Sequence, residues 1–349
     1  MDTFTKSIFM NSKHLLQWII VFFLLGNFTG NSQKKKDALV KKTMKLKHPK
    51  YLQKGDTIAI VAPAGILKDK KEIIQKAKET AKDWGLHVII GKNVFNQNHH
   101  FSGTDAERAS DFQKALDDPS IKAIWGARGG YGSVRILDQL DFSSFKKHPK
   151  WIIGYSDVTA IHNQVHNMGI ETIHGMMGTS FQFDLEENKQ SIETLRKALF
   201  GEEMSYEIVS SKYDKKGEAK GQLVGGNLTI LLTMLGSKSQ LETKGKILFI
   251  EEIGEYKYHI DRMLQSLKRA GYFDGLNGLI VGNMSNIKKN TTKWGSPIEQ
   301  LILDAVAEYD FPVIFGLPAG HEIDNRALLL GREVTISSKK DKTYIHFKK

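Results

Sequence analysis

The stretch WIIGYSDVTAIHN (151–163) changes character in the middle, from a continuous apolar run to a helix-like segment, with Ser156 at the join. A short apolar run bounded by turn residues reads as a strand buried on both faces. VTAIHNQVHNM, which follows, reads as a helix, so the stretch is a strand-to-helix unit whose turn carries a serine. Ser156 then has two readings: a hydroxyl that caps the helix by accepting from an orphan backbone N–H, or a nucleophile presented on a sharp turn. The stretch alone leaves both open.

The same alternation extends to either side. TIAIVAPA (57–64) is a buried strand, and KEIIQKAKETAKDWG puts Ile73, Ile74, Ala77, Ala81 and Trp84 on one helical face before Gly85 stops it. LHVIIG (86–91) is a second strand, and SGTDAERASDFQKALDDP opens with a capping box from Thr104 to Glu107. IKAIWGARG (121–129) and IETIHG (170–175) are further strands. Strands alternating with helices specify an α/β domain with a parallel sheet covered on both faces. Open parallel sheets bind ligands beyond the carboxyl ends of their strands. Ala62–Gly65, Arg128–Gly132, Ser156-Asp157 and His174-Gly175 all follow predicted strands, but strand order, which decides whether they share a rim, is not readable.

After about residue 180 the texture changes to a helix-containing connector. SYEIVSS and EAKGQLVGG read as antiparallel strands, and KGKILFIEEIGEYKYHIDRMLQSLKRAG runs from strand through loop to helix. GLNGLIVGNM, PVIFGLPAGH and EVTISSKKDKTYIHF add strands, which makes a second α+β domain with a barrel-like sheet. The expected organisation is a segment 1–32, a basic linker 33–50, an N-terminal domain 51–180, a connector 181–210 and a C-terminal domain 211–349.

The chain has 349 residues, 40% hydrophobic and 26% charged, enough for two globular domains. Its formal charge is +11, but residues 1–50 hold ten lysines against Asp2 and Asp37 and so carry +8 of it. The excess is a basic tail suited to a membrane surface, not a nucleic-acid groove, and no nucleic-acid-binding signature accompanies it. Lys6, Lys13 and His14 precede the apolar run LLQWIIVFFLL (15–25), and Gly30-Asn31-Ser32 follows. That pattern reads as an export signal cleaved near Ser32, hence a periplasmic protein, with an uncleaved N-terminal anchor as the alternative. With no cysteine, disulfides and a lipid-bearing cysteine are both excluded.

Several chemistries can be weighed on spacing. His162 and His166 stand at i and i+4, as in H-E-x-x-H, but Asn163 replaces the glutamate and no third ligand is evident, so no metal is expected. GARGGYGS fits neither nucleotide-binding glycine pattern. Its Gly126, Gly129, Gly130 and Gly132 do let backbone N–H groups face a ligand, as an oxyanion hole requires. Gly154-Tyr155-Ser156-Asp157 resembles a nucleophile elbow without its second glycine, and the N–H of Asp157 would also face an oxyanion. A serine nucleophile needs a base and an orienting carboxylate. Glu251 and Glu252 lie at a strand end, where alternation lets one of them reach a given site, and His321 lies in a loop after an apolar strand.

Taken in order, GDTIAIVAPAG, SGTDAERASDFQKAL, IWGARGGYGSVRILDQLDF, IIGYSDVTAIHN, IHGMMG, GQLVGGNLTILLTMLGS, ILFIEEIGEYKYHIDRML and GHEIDNRALLLGREV resemble the LD-carboxypeptidase family over roughly residues 50–337. The resemblance implies a Rossmann-like N-terminal half, a swivelling-barrel-like C-terminal half, and a Ser-Glu-His triad that falls on Ser156, Glu251 and His321. It also implies a murein tetrapeptide substrate losing its terminal D-alanine, with no metal or organic cofactor. Asp157 with Gly129 or Gly130 would form the oxyanion hole, and Arg128, with Tyr131 and His174, is the candidate for substrate binding. Met176 and Leu329 stand where the family commonly has proline. A microcin-C-immunity-type hydrolase and an inactive murein-binding protein are the competing expectations. A homodimer is left open.

Overall fold

The computed structural model describes residues 46–349, and Leu46–Lys349 form one compact unit. The expected export signal and the linker up to residue 45 lie outside the described residues. Among the described residues no helix is long and apolar enough to cross a membrane.

Five apolar segments become the strands β1 (Thr57–Val61), β2 (His87–Ile90), β3 (Ile121–Gly126), β4 (Trp151–Gly154) and β5 (Thr172–His174). They lie parallel in the order β5-β4-β3-β1-β2. Near-continuous apolar runs are what such strands require, because helices cover both faces. On one face pack Lys71–Asp83, through Ile74, Ala77 and Ala81, and Lys189–Phe200, through Leu195, Ala198 and Leu199. The other takes Asp105–Asp117 and Thr159–His166. The Thr104–Glu107 capping box forms as expected.

Strand order is what the sequence withheld. From β1 the chain goes to β2 on one side, then returns to β3 on the other, so the turns after β1 and β3 part company above the sheet. Such a switch point leaves a crevice at the carboxyl edge. Gly65 N–H donates to the Gly129 carbonyl across it (3.0 Å), and β4, with Ser156 beyond its end, is the next strand.

The second sheet is built from β6 (Ser205–Val209), β7 (Glu218–Asn227), β8 (Ile247–Ile253), β9 (Gly278–Ser285) and β10 (Val313–Phe315). The chain then leaves it: β11 (Leu328–Leu330) pairs antiparallel with β5 at the edge of the first sheet. It returns as the hairpin β12 (Glu333–Ser338) and β13 (Lys342–Phe347), giving the order β10-β9-β8-β7-β12-β13-β6. β6 and β7 are antiparallel strands, as read, each paired with one strand of the C-terminal hairpin. β7 to β10 are mutually parallel, so this sheet is mixed. One apolar cluster runs from Ile60, Trp125 and Ile153 of the first sheet to Phe249, Ile280 and Ile336 of the second.

A buried ion pair sits where β11 hands over to β12. Arg332 donates from Nε and Nη2 to the two oxygens of Glu171 (2.8 and 2.7 Å) and reaches the Lys348 carbonyl and the Tyr51 hydroxyl. Removing one partner of such a pair leaves a buried charge uncompensated. Arg332→Ala is expected to lower unfolding free energy by about 3–5 kcal/mol, measured by urea denaturation, whereas a substitution at exposed, unpaired Lys76 should leave it within about 0.5 kcal/mol.

Candidate active site

Ser156, separated from β4 by Tyr155, begins a 3₁₀ turn, Ser156–Val158, that runs into the helix Thr159–His166. Its φ is +60°, in the left-handed region that non-glycine residues rarely occupy. Strain of this kind persists only where surroundings enforce it. Gly154 supplies part of that enforcement: a Cβ there would lie 2.9 Å from three side-chain atoms of Val158. Val158 stands where the usual elbow has its second glycine, so close packing is met by one bare Cα and one branched side chain. Gly129 meets the serine from the neighbouring turn, and a Cβ on it would come within 3.3 Å of Ser156 Oγ.

The glycine turn is fixed from both ends. The buried Asp157 carboxylate accepts from Ser133 N–H (2.8 Å), which joins the Arg128–Ser133 turn to the serine turn. Burial pushes the Asp157 pKa up, opposed by the hydrogen bonds from Ser133. Buried Arg108 donates to the Gly132 carbonyl (2.9 Å) and to that of Pro63, so the turns after β1 and β3 share one guanidinium. Gly130, with φ +101°, and Gly132, with φ +145°, need to be glycine. Among the described residues neither Gly129 nor Gly130 donates its N–H to an acceptor. The N–H of Asp157 lies in the first turn of its helix and has no intrahelical partner.

The second sheet brings the carboxylate and the histidine. Glu251 is 0% exposed near the end of β8, and its Oε2 accepts from His321 Nδ1 at 2.6 Å. Glu252 turns the other way, as strand alternation requires. It accepts from Thr229 N–H (2.8 Å), Thr229 Oγ1 (2.7 Å) and Asn227 Nδ2 (3.1 Å), and so anchors the start of the helix Leu228–Thr233. Burial alone would pull the His321 pKa down, but the Glu251 carboxylate and its hydrogen bond, aided by Glu252 and Glu322, hold it above the ordinary histidine value. The His321 ring packs 5.0 Å, centroid to centroid, from that of Tyr155, the residue preceding Ser156. Serine turn, glycine turn and Glu–His pair therefore meet at one place.

Other candidates fall differently. His174 is fully buried, wedged between Tyr155 (6.0 Å) and Phe249 (5.0 Å) with its pKa pushed well down by burial, so it lies beneath the site and supports Tyr155. Arg128 is half-buried, donates to the Ile66 carbonyl, and has no described carboxylate within ion-pair distance. Tyr131 is exposed and stacks at a tilt on Phe101 (5.7 Å) at the outer lip. His162 donates to the Gly154 carbonyl (2.9 Å), and His166 accepts from Lys246 (3.0 Å); burial takes their pKa values down to about 4 and about 3. The two imidazoles thus serve separate partners despite their i,i+4 spacing. Met176 and Leu329 are both core residues: the Met176 carbonyl accepts from Trp125 Nε1, and Leu329 sits opposite Ile173 in β11.

Sequence reading missed the residues that hold the histidine loop. Ser191 and Thr194, on the helix Lys189–Phe200 within the supposed connector, accept from Asn325 N–H (2.8 Å) and Ala327 N–H (3.1 Å). Asn325 Oδ1 in turn accepts from Gly320 N–H (3.0 Å), beside His321. Short polar residues on a helix carry no mark of a partner more than a hundred positions away. Asn227 and Thr159, 68 positions apart, were missed as well: Asn227 N–H donates to Thr159 Oγ1 (3.1 Å) and so pins β7 to the helix that follows Ser156.

Comparison with known proteins gives the family and the fold. A family model described as the LD-carboxypeptidase N-terminal domain matches residues 58–175, and one described as the LD-carboxypeptidase C-terminal domain matches 220–336. A probable murein peptide carboxypeptidase of Bacillus subtilis is 36% identical, covering 83% of this chain and 91% of its own. A murein tetrapeptide carboxypeptidase of Pseudomonas aeruginosa is 27% identical over 80% of this chain and 92% of its own. The crystal structure of a muramoyltetrapeptide carboxypeptidase from Oxalobacter formigenes superposes with TM-score 0.77 at 29% identity, covering 84% of this chain and 99% of that one. The microcin C7 self immunity protein shares the fold, with TM-score 0.78 at 23% identity over 87% of this chain and 99% of that one.

The Gly154–Val158 contact can be tested by a double-mutant cycle. Gly154→Ala should destabilise by about 1–3 kcal/mol through overpacking, and Val158→Gly should also destabilise. The double variant is expected to be more stable than the sum of the two losses by at least about 1 kcal/mol in urea titrations.

Proposed function

The chain belongs to the LD-carboxypeptidase family, and on that premise we propose that it removes the terminal D-alanine from murein tetrapeptides, cutting the bond between an L-centre and D-alanine, with Ser156, His321 and Glu251 as its catalytic residues. The observation that carries the assignment is the convergence of a strained serine turn with a buried carboxylate–imidazole pair across two sheets.

That geometry supports the following steps. Glu251 engages Nδ1, so Nε2 is the ring atom left to take the proton from Ser156 Oγ. Loss of that proton lets Oγ attack the scissile carbonyl carbon. The oxygen of the tetrahedral intermediate becomes negative and is met by the N–H groups of Asp157 and of Gly129 or Gly130. His321 then passes its proton to the departing amine of D-alanine, and water, deprotonated by the same imidazole, releases the acyl-enzyme. Glu251 holds the tautomer and stabilises the imidazolium. Asp157 acts twice, by its N–H on the oxyanion and by its carboxylate on the turn that carries the glycines.

A carboxypeptidase also binds the free carboxylate of its substrate, and we assign this to Arg128, a half-buried guanidinium without a described counter-ion beside the glycine turn. The apolar run 15–25 flanked by Lys13 and the small residues 30–32 supports export by a cleaved signal, testable by N-terminal sequencing of the protein recovered outside the cytoplasm.

Incubation with defined tetrapeptides should release one alanine by mass spectrometry, and Ser156→Ala should abolish that release with unchanged urea stability; equal release by both proteins would end the serine mechanism. Arg128→Ala is expected to raise KM roughly 10- to 100-fold with a smaller change in kcat, the pattern of a lost ground-state contact. The base works only when neutral, and its folded pKa is raised, so kcat/KM should rise with pH through a limb above 6.5. Glu251→Gln removes the charge that raises it, and should shift that limb to lower pH while lowering the plateau about 10³- to 10⁴-fold.

A further inference from the structure

At the opposite edge of the first sheet lies a cleft of ≈ 480 Å³ that the hydrolytic site does not use. Its charged lining is of one sign, Lys47, Lys50, Lys122 and Lys147; His48 and His148 also line it, and not one aspartate or glutamate does. All four lysines are exposed. Prolines 49, 119 and 149 also line the cleft, and the Lys122 ammonium donates to the Pro119 carbonyl (2.7 Å). Behind it the buried Lys150 ammonium donates to the carbonyls of Ala115 (2.8 Å) and Asp118 (2.6 Å). Its pKa falls to about 8, chiefly through burial.

The position matters as much as the charge. Lys47 is fastened to the base of the sheet by its N–H to the Gly169 carbonyl (2.8 Å) and by its carbonyl to Glu171 N–H (3.1 Å). Leu46, where the described unit begins, lines the same cleft. The sequence before Leu46 carries the apolar run 15–25 and the lysines 34, 35, 36, 41, 42 and 45. Six further cations enter the chain just before a concavity that already holds four.

We propose that this basic cleft is a docking surface for an anionic lipid bilayer, with headgroup phosphates seated among Lys47, Lys50, Lys122 and Lys147. A phosphate monoanion needs donors without a competing carboxylate, and clustered lysines gain affinity from the negative surface potential of such a membrane. β4 starts at Trp151 beside the cleft and Ser156 lies five residues on, about 16 Å away at ~3.3 Å per residue. Docked through its base, the protein would hold its catalytic crevice away from the lipid and open toward substrate on the aqueous side.

The test uses residues 46–349, the compact unit, so that the apolar run cannot bind lipid by itself. In flotation assays this protein should bind vesicles containing phosphatidylglycerol, release them as salt rises, and ignore vesicles of phosphatidylcholine alone. Replacing the four lysines by glutamine should weaken vesicle binding roughly a hundredfold or more, while alanine release from a soluble tetrapeptide and urea stability stay unchanged. Undiminished vesicle binding by that variant, equal binding to neutral vesicles, or capture of soluble polyphosphate with no vesicle binding would each overturn the proposal. Because the peptide assay runs in parallel, loss of lipid binding and loss of the hydrolytic reading are separately visible.

Discussion

A carboxylate sealed from water organises this protein. Glu251 has no exposed surface and gains compensation from one cation-forming partner, His321, at 2.6 Å. An unpaired buried carboxylate is destabilising by several kcal/mol, so the loop after β10 has to be delivered to β8 with good geometry or not at all. That requirement explains the tethers around it: Asn325 to Gly320, and Ser191 and Thr194 to the end of the loop. The imidazole is thereby oriented by its surroundings before any substrate arrives, which is where much of an enzyme's electrostatic advantage resides.

The serine is positioned by different means. Ser156 is held by close packing, with Gly154 against Val158 on its own turn and Gly129 against its side chain, and by the Asp157 carboxylate that ties its turn to Ser133. Gly225 and Gly226 continue the theme one layer away, where a Cβ on Gly226 would fall 2.5 Å from Thr159 Oγ1. Bare backbone at Gly226 lets the helix after the serine sit directly on β7, and at Gly225 it leaves room for the Phe249 backbone of β8, the strand that bears Glu251. Contacts this tight transmit small displacements, so the distance between Ser156 and His321 is set by packing density as much as by hydrogen bonds.

How much of this was readable in advance follows from the range of each interaction. The parallel βα units, the Thr104 cap and the sharp turn at Ser156 are local patterns, and the sequence displays them. The two-to-one alternation of a strand predicted that Glu251 and Glu252 would serve different partners, and they do. Strand order was illegible because nothing local records which side of β1 a later strand takes. β6 and β7 are antiparallel strands, as read, but that their partners are the two strands of the terminal hairpin was illegible for the same reason. His174 was placed at the site by its strand-end position, yet a three-residue strand capped by Phe249 and Tyr155 leaves it underneath. His162 and His166 show the converse, a suggestive spacing absorbed by a carbonyl and a lysine.

The excursion of β11 carries a consequence for how such a protein can evolve and be taken apart. Leu328–Leu330 come from late in the chain, yet they close the edge of the sheet built by the first half. A gene cut between the halves would strip the amino-terminal product of its border strand, leaving β5 with unpaired peptide groups open to mispairing. The carboxyl-terminal product would carry an orphan strand with nowhere to lie. The two halves are therefore not exchangeable cassettes: recombination within the lineage has to move them together, and any attempt to reconstitute the protein from fragments has to supply β11 in trans.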